Sequence, residues 1–142
     1  MRHIMVATDG SDGANRAVDV AAELARALAG DLLIAVVEDT LLGEQARQLA
    51  HAEGSIGDAL EALTAQMLKA AEVRARDLGV SRIELRTGSG DVAQSLINIA
   101  AGSAVEMIVL GRRGRGQLAG LLLGSISHKL VSLAPCAVVV VP

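Results

Sequence analysis

Five short runs rich in aliphatic residues, separated by stretches with helical periodicity, restrict this chain to a narrow set of folds. Residues 4–8, 32–37, 107–110 and 137–141 are almost wholly apolar, as strands covered on both faces should be. The remaining run alternates Arg82, Ile83, Glu84, Leu85 and Arg86, which suits a half-exposed strand at a sheet edge. Between the runs, Ala17, Ala21, Leu24, Ala25 and Leu28 share one helical face, and Leu60, Leu63, Met67 and Ala71 share another. Val92, Leu96, Ile97 and Ala100 mark a third helix, and Ser125–Leu133 a fourth. Ser11 or Asp12 is placed to cap the first helix and Asp91 the third, while Gly30, Gly79 and Gly102 are placed to end helices. The pattern predicts a single α/β domain over residues 1–142, with a five-stranded, mainly parallel, doubly wound sheet and helices on both faces. Such sheets bind ligands at the carboxyl ends of their strands, where the winding direction reverses. Residues 38–57, interrupted by Gly43, Gly54 and Gly57, read as a surface connection or as a flap over a ligand.

A chain of 142 residues buries about two-thirds of its unfolded surface on folding. It contains no Phe, Tyr or Trp, so the expected core is aliphatic and lacks any base-stacking platform. A net charge of -3 also argues against nucleic acid as a partner. Cys136 is the only cysteine, which excludes an intramolecular disulfide. It enters a valine run with no basic neighbour and reads as a small buried hydrophobe. The apolar runs fall far short of a membrane span, and the first turns polar at Thr8-Asp9, too soon for a signal-peptide core. A cytoplasmic domain away from the membrane is the expectation.

After residues 107–110 the chain changes abruptly to Gly111-Arg112-Arg113-Gly114-Arg115-Gly116 and then reaches Gly124-Ser125 at a helix start. Glycines let phosphate oxygens approach backbone amides, and a helix N-terminus adds oriented N–H groups and the positive end of its dipole. The arginines, with Lys129 nearby in sequence, concentrate positive charge against an acidic background. Glycine spacing alone is also compatible with a surface loop whose arginines are solvated. There is no Gly-Lys-Ser or Gly-Lys-Thr, so this is not a Walker loop. Two loose dinucleotide patterns begin at Gly88 and Gly114, but the strand after the first, residues 107–110, carries no acidic residue to hold a ribose. Residues 88–91 therefore read as a turn and a helix cap.

Asp9 stands at the carboxyl end of the first strand. It can bond a ribose, or a phosphate through Mg, or make an Asx turn with Gly10. His3, His51 and His128 have no metal-ligand spacing, and no Gly-x-Ser-x-Gly elbow occurs. Nothing marks a catalytic nucleophile. The last strand, Ala137–Val141, presents an aliphatic edge that either pairs with a second copy or is blunted by Pro142 and local charges.

Three segments together resemble the universal stress protein family: the spacing Gly111-x2-Gly114-x9-Gly124-Ser125, the opening Ile4-Met5-Val6-Ala7-Thr8-Asp9-Gly10-Ser11, and Leu121-Leu122-Leu123-Gly124-Ser125 through Ala134-Pro135-Cys136. The resemblance runs from end to end and is weakest across residues 38–57. Family members with this glycine spacing bind ATP. By that resemblance Ala7, Thr8 and Asp9 would line the adenosine, and Val36 would lie against the adenine. Gly111, Gly114, Gly124 and Ser125 would hold the phosphates, with Ile126 adjoining. Arg112, in the same loop, and Arg113 replace residues that are commonly small, polar or histidine in the family. They either grip phosphate or point to solvent. The resemblance further implies strand order 3-2-1-4-5 and a homodimer through Ala137–Val141. The expected function is an ATP-binding stress-response or regulatory protein. The competing readings are an enzyme of the wider adenine-nucleotide α/β group, including a slow ATPase or self-phosphorylating protein, and a dimeric interaction module without ligand. Against the former, the loop Asp9-Gly10-Ser11-Asp12-Gly13 lacks the Ser-Gly-Gly-x-Asp-Ser pattern of one such branch.

Overall fold

The computed structural model describes residues 2–38, 56–112 and 123–142. In chain order the elements are β1 (His3–Ala7), α1 (Asp12–Ala27), β2 (Asp31–Glu38), α2 (Ile56–Asp77), β3 (Ile83–Ser89), α3 (Val92–Gly102), β4 (Met107–Gly111), α4 (Ser125–Leu133) and β5 (Ala137–Val141). All strand pairs are parallel, in the order β3-β2-β1-β4-β5. The predicted architecture and strand order are those observed.

Strand alternation explains why the central runs are continuously apolar, because successive side chains serve two different cores. Ile4, Val6, Leu32, Ile34, Val36 and Val109 face α1 and α2. Met5, Leu33, Ala35, Val37, Ile108 and Leu110 face α3 and α4. With no aromatic side chain available, the first core is closed by small residues: α1 buries Ala14, Ala17, Val18, Ala21, Ala22 and Ala25. Those alanines let α1 approach the sheet closely. A Cβ on Gly111, at the end of β4, would lie 3.1 Å from the Gly13 carbonyl in the first turn of α1.

Ser11 caps α1 by accepting the Ala14 N–H at 3.2 Å, and Asp91 caps α3 by accepting the Gln94 N–H at 2.9 Å. The helix ends depart from expectation. Gly79 does take the left-handed conformation after α2, with φ +96°. After α1 and α3, however, alanines take it, Ala29 at φ 51° and Ala104 at φ 52°. Gly30 is needed for another reason, since any Cβ there would collide with the Arg2 carbonyl oxygen. Gly102 is the last residue of α3, as expected, and Ser103 follows as its C-cap. β3 also runs further than its alternation suggested, because pairing with β2 continues as far as Glu38 with Ser89. Among the described residues no helix is long and apolar enough to cross a membrane.

Candidate functional site

The sheet winds outward in both directions from the β1–β4 pair, so the crevice at the carboxyl ends of these strands is where a ligand is expected. On the β1 side the chain is held by a relay of local bonds. The Thr8 N–H donates to the Ala35 carbonyl at 3.0 Å, tying this turn to β2 beside Val36. The Thr8 hydroxyl accepts the Gly10 N–H at 3.2 Å, and Asp9 Oδ1 accepts the Ser11 N–H at 2.9 Å. Asp9 thus makes the Asx turn that delivers Ser11 to the start of α1, and Gly10, at φ +80°, completes the bend.

On the β4 side, Gly111 packs against Gly13, which brings the end of β4 alongside the start of α1. The next residue, Arg112, is fixed on both sides of its Cα. The Arg112 N–H donates to the Val141 carbonyl at 2.6 Å, and the Arg112 carbonyl accepts the Gly124 N–H at 2.8 Å. Gly124 is the N-cap of α4, with φ -73° and ψ 167°, and no side chain caps this helix. The first turn of a nine-residue helix therefore opens at the carboxyl edge of the sheet without a competing side-chain acceptor at its cap. Arg112 is half-buried, and its Nε is buried with no hydrogen-bond partner among the described residues. An uncapped helix start and a guanidinium N–H without a partner among the described residues, on the residue whose carbonyl holds Gly124, are the features here that suit an anion.

The structure brings Thr8, Asp9, Gly111, Arg112, Gly124, Ser125 and Ile126 to this edge through the contacts above. Ser125 is exposed at the helix start, while Ile126 packs against the α3/α4 core. Ala7 is half-buried and also packs there. Val36 reaches the same edge by its backbone, but its side chain is 1% exposed within the α1/α2 core. Gly114, Arg113 and Arg115 lie outside the described residues, as do residues 39–55. Lys129 is engaged by Asp91 at 3.4 Å. The Gln94 backbone N–H, with Lys129 contributing, holds the Asp91 carboxyl below its usual range. Burial pushes the thiol of half-buried Cys136 up, away from reactivity.

Sequence patterning missed Ser127. It is 2% exposed, and its hydroxyl lies 2.8 Å from the Arg112 carbonyl oxygen and 3.1 Å from that of Gly124. The available signal was its place three residues before Leu130, which puts a polar side chain on the buried face of α4.

A second cleft, of about 390 Å³, lies where β1 to β3 begin, and its walls include His3, Asp31, Arg82, Glu84 and Arg86. Its charges are mutually engaged: Arg82 and His3 with Asp31, and Arg86 with Glu84. Among the described residues no three histidines, cysteines or carboxylates gather into a metal site.

The family model for the universal stress protein family matches residues 1–142. A universal stress protein of Thermus aquaticus is 35% identical, covering 97% of this chain and 96% of its own. The universal stress protein YxiE of Bacillus subtilis is 32% identical, with 97% of each chain covered. Among solved structures, a universal stress protein in complex with cAMP superposes with a TM-score of 0.75 at 28% identity, covering 99% of this chain and 95% of its own. With a full-length family match and near-full-length relatives above 30% identity, the chain belongs to the universal stress protein family.

Proposed function

We propose that this chain is an ATP-binding regulatory protein of the cytoplasmic stress response, in which bound nucleotide tunes conformation or partner choice. One observation carries the reading: the uncapped start of α4 is tied through Gly124 and Arg112 to the end of β4, which lies beside the start of α1. That arrangement supports phosphates at the first turn of α4, along the backbone of Ser125 and Ile126, with Gly111 and Gly124 leaving the approach open because neither carries a side chain. Gly114 belongs to the same set by its place in the spacing. Arg112 adds a cation next to Gly111, and Thr8 and Asp9 serve the nucleoside side. Ala7 and Val36 complete that side from the ends of β1 and β2. Magnesium enters with the phosphates, near Asp9. The β5 edge supports a homodimer, since among the described residues Ala137–Val141 pairs with β4 alone.

A thermal-shift series with ATP, ADP, cyclic AMP and GTP, each with and without Mg, tests the reading. Cyclic AMP is included because a relative binds it. At a hundred times its dissociation constant a ligand stabilises by about 2.7 kcal/mol, a shift of roughly 5–15 °C for a domain this size. A shift with ATP is expected. No shift with any nucleotide at millimolar concentration overturns the reading in favour of a ligand-free interaction module. Turnover of about 1 per second or more would instead make the chain an enzyme.

A further inference from the structure

We propose that Ser127 is the positioning residue that fixes the phosphate-binding start of α4 against β4, a role that rests on the nucleotide reading above. Ser127 is a buried polar side chain two residues into the first turn of α4, and its hydroxyl donates downward, to the Arg112 carbonyl at 2.8 Å and within reach of the Gly124 carbonyl at 3.1 Å. The same Arg112 oxygen accepts the Gly124 N–H at 2.8 Å, and the Arg112 N–H is held by Val141 at 2.6 Å. The backbone of one residue, Arg112, is therefore gripped by β5, by the residue that opens α4 and by a side chain inside α4. The clasp joins the two ends of the glycine-rich loop.

Its chemistry distinguishes it from ordinary capping. A Ser, Thr, Asp or Asn at the N-cap accepts a first-turn N–H and so competes with a phosphate for it. Here the N-cap is Gly124, which makes no side-chain cap. The anchoring is supplied instead by a hydroxyl that donates to carbonyls. The helix start is held in place with no side-chain acceptor at its cap to compete with a ligand. The clasp therefore contributes to phosphate recognition and not to adenosine recognition.

Two measurements on Ser127→Ala and Ser127→Thr test this. Amide hydrogen exchange on the ligand-free proteins should show the Gly124 N–H exchanging about tenfold or more faster in Ser127→Ala, with β1 and β2 amides unchanged. Calorimetric titrations should show Ser127→Ala losing roughly five- to tenfold in affinity for ATP and ADP, with adenosine binding within about twofold of wild type. Ser127→Thr, which keeps the hydroxyl, should recover most of the ATP affinity. Unchanged Gly124 exchange, or equal losses for ATP and adenosine, overturns the role of Ser127 alone. A wild-type protein that binds no nucleotide overturns the functional reading and the phosphate role with it, while the exchange measurement still decides whether the clasp exists.

Discussion

Ala29 and Ala104 follow helix ends in the left-handed conformation, where a Cβ crowds the next carbonyl and glycine is at ease. Each alanine is exposed, so its replacement removes strain without opening a cavity. Ala29→Gly and Ala104→Gly should each stabilise the fold by about 0.5–1 kcal/mol, additively because the sites share no partner. Urea denaturation of the single and double variants checks this. A loss of stability would mean that the entropy of the unfolded glycine outweighs the relief of strain. Thr64 makes a different local case. It is 4% exposed on the inner side of α2, and its hydroxyl has no hydrogen-bond partner among the described residues. Thr64→Val keeps the shape and removes an unsatisfied group, and should raise stability by about 1 kcal/mol in the same assay. Unchanged or lower stability would show that the hydroxyl is satisfied.

At the scale of elements, α1 and α2 are joined across their outer surface by Asp19 and Arg74, whose Nε and Nη2 reach the two carboxylate oxygens at 2.5 and 2.8 Å. The hydrogen bonds from Arg74 hold the Asp19 carboxyl below its usual range. A folded-state pKa lowered in this way contributes stability that is present above the unfolded value, near 3.9, and is lost as pH falls through the folded value. Both side chains are about a third or more exposed, so solvent screening limits the pair to about 0.5–1 kcal/mol. Arg74→Ala should cost that much at pH 7, and the difference from wild type should shrink between pH 5 and pH 3 and in high salt. A difference independent of pH would assign the loss to packing of the arginine stem. Elements were also the scale at which the sequence was most legible. Continuous aliphatic runs revealed β1, β2, β4 and β5 because both faces are covered, and the alternation of Ile83 with Glu84 and Arg86 marked β3 as an edge. Element ends were less legible. Whether Gly30 relieves strain or avoids the Arg2 carbonyl depends on a strand packed beside it, and no local pattern contains that information. Ser127 escaped for the same reason, since its partner lies 15 residues earlier in the chain.

Across the whole molecule, the two outer strands of the sheet are unlike. β3 presents Glu84, Arg86 and Thr87 to solvent beside exposed Leu85, so that charges and a hydroxyl discourage pairing there, whereas β5 is Ala-Val-Val-Val-Val. Exposed Val131 and Leu133 precede β5 on the chain, and Arg16 braces its end through the Pro142 carbonyl at 2.9 Å. An isologous pairing of two β5 edges should make the protein sediment at twice the chain mass at micromolar concentration. A monomer that persists on concentration would contradict it. The proposed nucleotide site likewise depends on the whole chain, because Gly111 and the residues tied to it lie beside the start of α1 only when β1 and β4 are neighbours. The glycine spacing was readable as a motif, but its meaning came from that strand order. Gly124 offers the most direct test. Its backbone, φ -73° and ψ 167°, is in a region that any residue adopts, and a branched Cβ at this buried position at the mouth of α4 would obstruct the phosphates. Calorimetric titration of Gly124→Val with ATP, beside wild type and with matched circular dichroism, should show tight binding by the wild type and a loss of about a hundredfold or more in the variant. ATP binding by Gly124→Val equal to wild type would contradict the assignment of this edge as the phosphate site.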